Sequence, residues 1–236
     1  QKIGLEDRPC SICGSRDFSL LAESDRYGFD LNKQLCETCG LVQTMPSLKP
    51  EFLDSFYSQH YRPLYTKRID VDYDALIEEQ TAKGHRFKKY FAEQGLGDAL
   101  PNTAIIEIGC SSSGILAALA PSVRSVQGCD LDVEGIAYGK KHYGFDLEVS
   151  ALPSHLPTSP RLFILSHVLE HLGDPLQSLR NIRDLLAAQA GLDVLTCDET
   201  VTALLRRSDA GVKPWAKSPE DSVENVLRIE AIFRSK

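Results

Sequence analysis

Beyond residue 100 the chain alternates between short apolar runs and stretches in which apolar residues recur every three or four positions. The run Ala104-Ile105-Ile106-Glu107-Ile108 has strand length. It breaks into the small residues 109–114 and passes directly into a helical pattern over 115–120 that Pro121 stops. A second strand is predicted over 125–130, a helix over 133–143 closed by Gly144, a third strand over 145–149 and a fourth, wholly apolar, over 162–165. Asp174-Pro175 then opens a helix whose Leu176, Leu179, Ile182, Leu185 and Leu186 share one face. Strand and helix in alternation predict an α/β fold with a parallel, doubly wound sheet. The sequence strand, small-residue turn, helix opens a nucleotide-binding unit. There the small residues admit a ligand to the backbone, and the helix N-terminus offers unpaired N–H groups.

Ahead of residue 100 the pattern differs. Residues 18–21 and 27–31 are strand-like, and 72–94 carry a helical stripe of Tyr73, Leu76, Ile77, Phe87, Tyr90 and Phe91 that Gly84 interrupts and Gly95 ends. Between Met45 and Arg68 lies an aromatic-rich connector with Phe52, Phe56, Tyr57, His60, Tyr61 and Tyr65. Packing between modules accounts for most of these rings, while one or two tyrosines, Tyr65 first, are candidates to reach a cleft. Three units are expected: a module over 1–45, the connector and helix over 46–98, and the α/β domain over 99–236.

Cysteine spacing changes the reading of the first module. Cys10 and Cys13, then Cys36 and Cys39, form two pairs, each closed by glycine and separated by 22 residues. Two such knuckles supply the four thiolates of a structural zinc ion, and the duplication argues against a redox pair. Paired cysteines in an odd total of seven, with no signal-peptide pattern, predict a reducing, cytoplasmic setting. No run approaches the length of a membrane span. The net charge of −7, with 6 Lys+Arg against 9 Asp+Glu in residues 1–60, counts against a nucleic-acid surface.

Two further places carry candidate chemistry. Asp130 ends the second strand 23 positions after Glu107, where a carboxylate can take both hydroxyls of a ribose. The competing role is that of an acid at a helix N-terminus, for which Asp132 is also available. After the fourth strand, Ser166-His167-Val168-Leu169-Glu170-His171-Leu172 brings two histidines and a glutamate to the strand's C-terminal end. In a helical turn His167 and His171 face one side, with Glu170 off it, which suits a general base in a cleft better than a metal site.

Glu107-Ile108-Gly109-Cys110, Gly128-Cys129-Asp130-Leu131-Asp132 and the 166–172 stretch with Asp174-Pro175-Leu176 resemble three successive motifs of class I S-adenosylmethionine-dependent methyltransferases, with a Rossmann-like sheet. The cysteine knuckles, Gly40-Leu41-Val42-Gln43 and the tyrosine-rich connector resemble the zinc-binding front of bacterial sugar C-methyltransferases, which act on nucleotide-linked deoxysugars. The resemblance covers residues 8 to 188. It implies S-adenosylmethionine and structural zinc as cofactors, and a nucleotide-linked sugar or related precursor as substrate. It puts Glu107 near the methionine end of the cofactor, Gly109, Ser111 and Gly114 in the loop beneath it, Asp130 on the ribose, and Leu131 and Leu152 beside the adenine. Ser166 and His167 would wall the methyl group, with Glu170 and His171 in the acid–base region and His171 as base. A zinc-ribbon RNA methyltransferase and a non-catalytic binding module are the alternatives.

Two departures stand out. The family loop reads Gly-x-Gly-x-Gly, and serine stands here at 111 and 113. The family also continues with three further strands. Here only 190–197 and 226–233 are strand candidates, as though chain had been omitted near 188–191, which makes 190–197 the sixth strand.

Overall fold

The computed structural model describes residues 4–24, 30–67, 70–93, 95–157, 161–187, 193–197, 204–208 and 211–215. The expectations for 27–29 of the second front strand, for 188–191 and for 226–233 lie outside these residues.

Strands β1 (Leu5–Glu6), β2 (Phe18–Ala22), β3 (Asn32–Cys36), β4 (Val42–Met45) and β5 (Ser47–Leu48) build the front of the chain. The order β2-β3-β4 forms an antiparallel sheet, and β1 pairs with β5. The middle strand thus begins after the 27–31 run favoured by the sequence. Three helices follow: α1 (Pro50–Gln59), α2 (Tyr61–Thr66) and α3 (Tyr73–Glu93).

The rest is β6 (Ala104–Ile108), α4 (Gly114–Leu119), β7 (Ser125–Asp130), α5 (Val133–Tyr143), β8 (Asp146–Val149), β9 (Arg161–Leu165), α6 (Pro175–Ala187), β10 (Asp193–Cys197), β11 (Leu204–Ser208) and β12 (Gly211–Trp215). They form a seven-stranded sheet in the order β12-β11-β10-β9-β6-β7-β8. Strands β6 to β10 run parallel, β11 pairs antiparallel with β10, and β12 pairs antiparallel with β11. The strand expected in sixth place is therefore corrected: β10 lies parallel to β9 in full register, Asp193 opposite Arg161 through Cys197 opposite Leu165, in fifth place. The reading from spacing failed because pairing partners are set across the sheet, not along the chain. Among the described residues no helix is long and apolar enough to cross a membrane.

All five residues of β6 are buried, as a central parallel strand requires. Ile105 packs into a cluster with Phe87, Phe91, Leu116, Leu119 and Ile164, and Ile106 and Ile108 into another with Phe163, Leu179 and Ile182. Strand alternation aims Glu107 to the same side as Ile105, toward α3 and α4. The order of connection reverses between β6 and β9, where open α/β sheets form a crevice.

Gly84 does not break α3. It is buried where α3 crosses α4, and a Cβ there would stand 2.6 Å from Ala118 Cβ and 2.7 Å from the Ile115 carbonyl oxygen. From the other side, a Cβ on Gly114 would meet Gln80 Cβ at 2.6 Å and the Ile77 oxygen at 2.7 Å. Two glycines facing opposite helices let α3 lie directly on the α/β domain. Helix propensity favours alanine over glycine by about 1 kcal/mol. Overpacking reverses the sign, so Gly84→Ala is expected to destabilise the protein by about 1–3 kcal/mol in urea unfolding. A gain in stability would refute the close crossing.

Candidate active site

A cleft of about 510 Å³ opens over the reversal between β6 and β9. Its walls are the loop after β6, the end of β7, the 166–172 turn, and the inner faces of α1, α2 and α3. Register explains the meeting of the two loops: Ile108 is opposite Leu165, so Gly109 and Ser166 leave the sheet side by side. Gly109 has φ +77, and a Cβ there would be 2.4 Å from Val168 Cγ2, so only glycine fits between the loops.

The serine loop keeps a glycine-type backbone. Ser111 has φ 43 and Ser113 φ 68, both left-handed. This conformation costs a non-glycine residue roughly 1–2 kcal/mol, and neighbouring bonds offset it. Ser111 N donates to Asp130 Oδ2 at 2.7 Å, Ser111 Oγ donates to Asp132 Oδ2 at 3.0 Å, and Ser113 N donates to the Cys110 carbonyl at 2.7 Å.

The expected free N–H groups of α4 are not available at its first residue. Gln80 Oε1, from α3, accepts from Gly114 N at 3.0 Å and from Ser112 Oγ at 3.1 Å. Gly114 closes the loop as the first residue of α4 and is packed against α3, outside the residues that line the cleft. Leu152 is also outside the lining residues. It packs against the Ile106–Phe163 cluster, and its neighbours Ser150 and Ala151 line the cleft.

Glu107, Gly109, Ser111, Asp130, Leu131, Ser166, His167, Glu170, His171 and Tyr65 all line the cleft. Glu107 is 1% exposed, and its Oε2 has no hydrogen-bond partner among the described residues. Burial holds its carboxyl well above the usual range, neighbouring Asp130 adds to this, and Lys83 opposes it. Asp130 accepts through both oxygens, from Ser111 N and, at 2.8 Å, from Asp132 N. A carboxylate has about four lone-pair sites, so capacity for a diol remains. Burial raises its pKa, and these two N–H bonds work against the rise. Asp132 takes the capping role: it is the N-cap of α5 and accepts from Gly135 N at 3.0 Å.

The histidine stretch is not an α-helical turn. Leu169–His171 forms a 3₁₀ turn, and His167 precedes it at φ 55. Glu170 lies between the histidines, 3.4 Å from His167 Nδ1 and 3.9 Å from His171 Nε2. It is therefore not off their shared face, because a turn of three residues brings position 170 round toward both. The Tyr57 hydroxyl meets His171 Nδ1 at 3.2 Å, and the Tyr61 hydroxyl meets Nε2 at 3.4 Å. Tyr65 stacks on Tyr61 with centroids 5.8 Å apart. Burial, with lesser contributions from Tyr61 and Glu170, pushes the Tyr57 phenol far up, so it stays protonated. Arg8 donates to the Gly173 carbonyl, and a Cβ on Gly173 would be 2.6 Å from Leu53 Cδ1, so the front module and α1 both brace this turn.

The sequence undervalued the connector. Tyr57 and Tyr61 pass for packing residues, and Arg62, Gln80 and Lys83 draw no notice, yet all line the cleft. A signal was present in α3: Glu79, Gln80 and Lys83 share one helical face with Leu76 of the apolar stripe, so polar residues border that stripe.

In the front module each knuckle closes identically. Gly14 N donates to the Cys10 carbonyl at 2.9 Å and Gly40 N to that of Cys36 at 2.8 Å, both glycines at positive φ. The four sulfurs of Cys10, Cys13, Cys36 and Cys39 lie within 4.8 Å of one another, with Cys10–Cys39 and Cys13–Cys36 at 3.5 Å. Zn–S bonds of about 2.3 Å in a tetrahedron put sulfurs roughly 3.8 Å apart, so the set fits zinc. Among the described residues no other group of three or more His, Cys, Asp or Glu has such an arrangement.

No protein-family model and no curated protein matches this chain. Among solved structures, the plantazolicin methyltransferase BpumL in complex with a monoazolic desmethylPZN analog and SAH is 12% identical over 62% of this chain and 60% of its own, with a TM-score of 0.42. Coclaurine N-methyltransferase bound to N-methylheliamine and SAH is 13% identical over 48% of this chain and 35% of its own, with a TM-score of 0.38. DhpI in its SAH complex is 16% identical over 66% of this chain and 86% of its own, with a TM-score of 0.37. The chain spans less than two thirds of the first two. The α/β topology itself stands on strand order and register.

Relief of the left-handed backbone should be measurable. Ser113→Gly is expected to stabilise the protein by about 1 kcal/mol in chemical denaturation, whereas Ser111→Gly gives no gain because it loses the bond to buried Asp132. Equal gains at both positions would contradict the compensation described for Ser111.

Proposed function

We propose that this chain binds S-adenosylmethionine in the cleft and transfers its methyl group to a small molecule, a sugar nucleotide or related glycan or natural-product precursor. The observation that carries the reading is Glu107, a buried carboxyl with one oxygen unpartnered, beneath a left-handed small-residue loop at the sheet's reversal. An uncompensated buried polar atom is costly, and a ligand ammonium would relieve it. Asp130 fits a ribose diol beside it. When bound, the cofactor supplies an electrophilic methyl group on a sulfonium.

The chain's own residues would orient the acceptor and take its proton. His171 is the proposed base. A neutral imidazole donates from one nitrogen and accepts at the other, and here both face phenols. The longer contact, Tyr61 to Nε2, is the one that yields to an acceptor. Tyr57 then keeps Nδ1 oriented, and Glu170 stabilises the imidazolium formed. Tyr65 and His167 shape the same wall. In this reading the 46–98 connector closes the acceptor side of the 99–236 domain, and the 1–45 module, holding a structural zinc, braces the 166–173 turn.

Calorimetric titration with S-adenosylhomocysteine tests the cofactor assignment. An ammonium against Glu107 favours the ionised carboxyl, so binding releases a proton. Affinity is expected to rise about tenfold per pH unit below the raised Glu107 pKa of the free protein and to level off above it. His171→Gln should leave this affinity within about twofold while lowering methyl transfer at least about a hundredfold. Absence of binding at millimolar ligand would sink the reading, and full turnover in His171→Gln would remove the base assignment. For the zinc, one equivalent per chain is expected. Its removal by a chelator should unfold the front module and abolish acceptor turnover; a chelated protein with unchanged near-ultraviolet dichroism would contradict a structural role.

A further inference from the structure

We propose that Arg8 is a positioning residue for the base: from the front module it pins the Gly173 carbonyl and so sets the orientation and tautomer of His171. The inference rests on the methyl-transfer reading and deepens it, assigning control of the proton-accepting group to a residue remote from it in sequence.

Arg8 is itself stiffly held. Two residues on, Cys10 is tied at both ends of its peptide unit, its N donating to the Ser15 carbonyl at 2.8 Å and its carbonyl accepting from Gly14 N at 2.9 Å. Pro9 between them has a fixed φ and restricts the residue before it to extended backbone. On the other side, Leu5 and Glu6 pair with Leu48 and Ser47. The one hydrogen bond of the Arg8 side chain among the described residues goes to Gly173, and its Nε is buried without a partner. A charged donor committed to a neutral carbonyl fixes geometry and neutralises no charge.

The carbonyl it takes has no other place to go. Gln177 N would reach Gly173 if α6 began one residue earlier, but it donates to Asp174 Oδ1 at 2.8 Å. Gly173 therefore joins the 3₁₀ turn to the capped helix with its oxygen outside the helix ladder. Glycine is the residue about which such a junction swings most freely, and Leu53 leaves no room for a Cβ here. Arg8 removes that freedom.

His171 lies two residues before this junction, its N donating to the Val168 carbonyl at 2.9 Å. Its Nδ1 is 3.2 Å from the Tyr57 hydroxyl, at the far end of hydrogen-bond range. With Nδ1 carrying the proton toward Tyr57, Nε2 keeps the lone pair a base needs. A swing about Gly173 lengthens that contact and frees the other tautomer, which cannot accept a proton at Nε2.

Two measurements on the zinc-loaded full chain with S-adenosylhomocysteine bound test this without an acceptor: nitrogen NMR of the neutral imidazoles, and labelling by diethyl pyrocarbonate. His171→Gln identifies the His171 signals. Wild type is expected to show His171 as the Nδ1–H tautomer. Arg8→Met keeps the stem and removes the donors. It is expected to average the two His171 nitrogens and to speed labelling of His171 about tenfold. Zinc content, S-adenosylhomocysteine affinity and the labelling of His155 stay within about twofold. Arg8→Lys, which retains a charged donor, restores most of the wild-type behaviour. Unchanged His171 signals and labelling in Arg8→Met overturn the proposal. Loss of zinc, or equal loosening of His155, overturns it too, by marking a general structural role. Should Arg8→Met fail to fold, Arg8→Gln is read by the same measurements and the same outcomes. Wild type that binds no S-adenosylhomocysteine defeats the methyl-transfer reading, and Arg8 then has no base to position, whatever the His171 signals show.

Discussion

One buried carboxylate, Asp132, ties together the parts that make the cleft. It is 7% exposed and accepts from Arg62 Nε at 3.2 Å, Tyr73 hydroxyl at 2.9 Å, Ser111 Oγ at 3.0 Å and Gly135 N at 3.0 Å. A charge taken out of water is costly unless paired and fully hydrogen-bonded, and these donors come from four elements: α2, α3, the loop after β6, and α5. Asp132 can be satisfied only when the connector helices, the serine loop and the second βα unit are all in place. Its neighbour Asp130 then fixes the loop backbone from below. Serine at 111 is thus a working donor in a position where glycine would leave this carboxylate short of a partner.

The opposite wall follows the same logic with neutral groups. His171 sits on a short turn between two tyrosines of the connector, with ring centroids 5.6 and 5.2 Å away. Arg8 and Leu53 brace the far end of that turn at Gly173. The front module and the connector are therefore part of the site as well as a preface to the α/β domain. Arg8 links the module that carries the four cysteines to the 166–173 turn.

Much of the scaffold was legible from pattern alone. Strand β6 and its helix, β7 ending at Asp130, α5 with its Gly144 stop, β9 and the Asp174-Pro175 start all follow from local periodicity and capping chemistry. The knuckles were legible because two cysteines three residues apart, closed by a glycine at positive φ, form a local turn. What was misread depends on contacts between distant segments. Gly84 looked like a flaw in a helix because its reason, the oxygen of Ile115, is some thirty residues away. The packing of Gly114 against α3 and of Leu152 against the second core cluster likewise depends on distant segments.

The sequence by itself determined the alternation of strand and helix from 104 to 187, the parallel α/β class, the paired cysteines and the identity of the acids at Glu107 and Asp130; it did not show α1, α2, β11 or β12. These are local properties, set by period, turn chemistry and spacing. Only the tertiary structure decided which strand lies beside β9, that Gln80 covers the first N–H of α4, that Glu170 reaches both histidines, and that tyrosines of the connector hold His171. Pairing, desolvation and hydrogen-bond satisfaction are properties of surfaces brought together by the whole chain, and no window of sequence contains both partners.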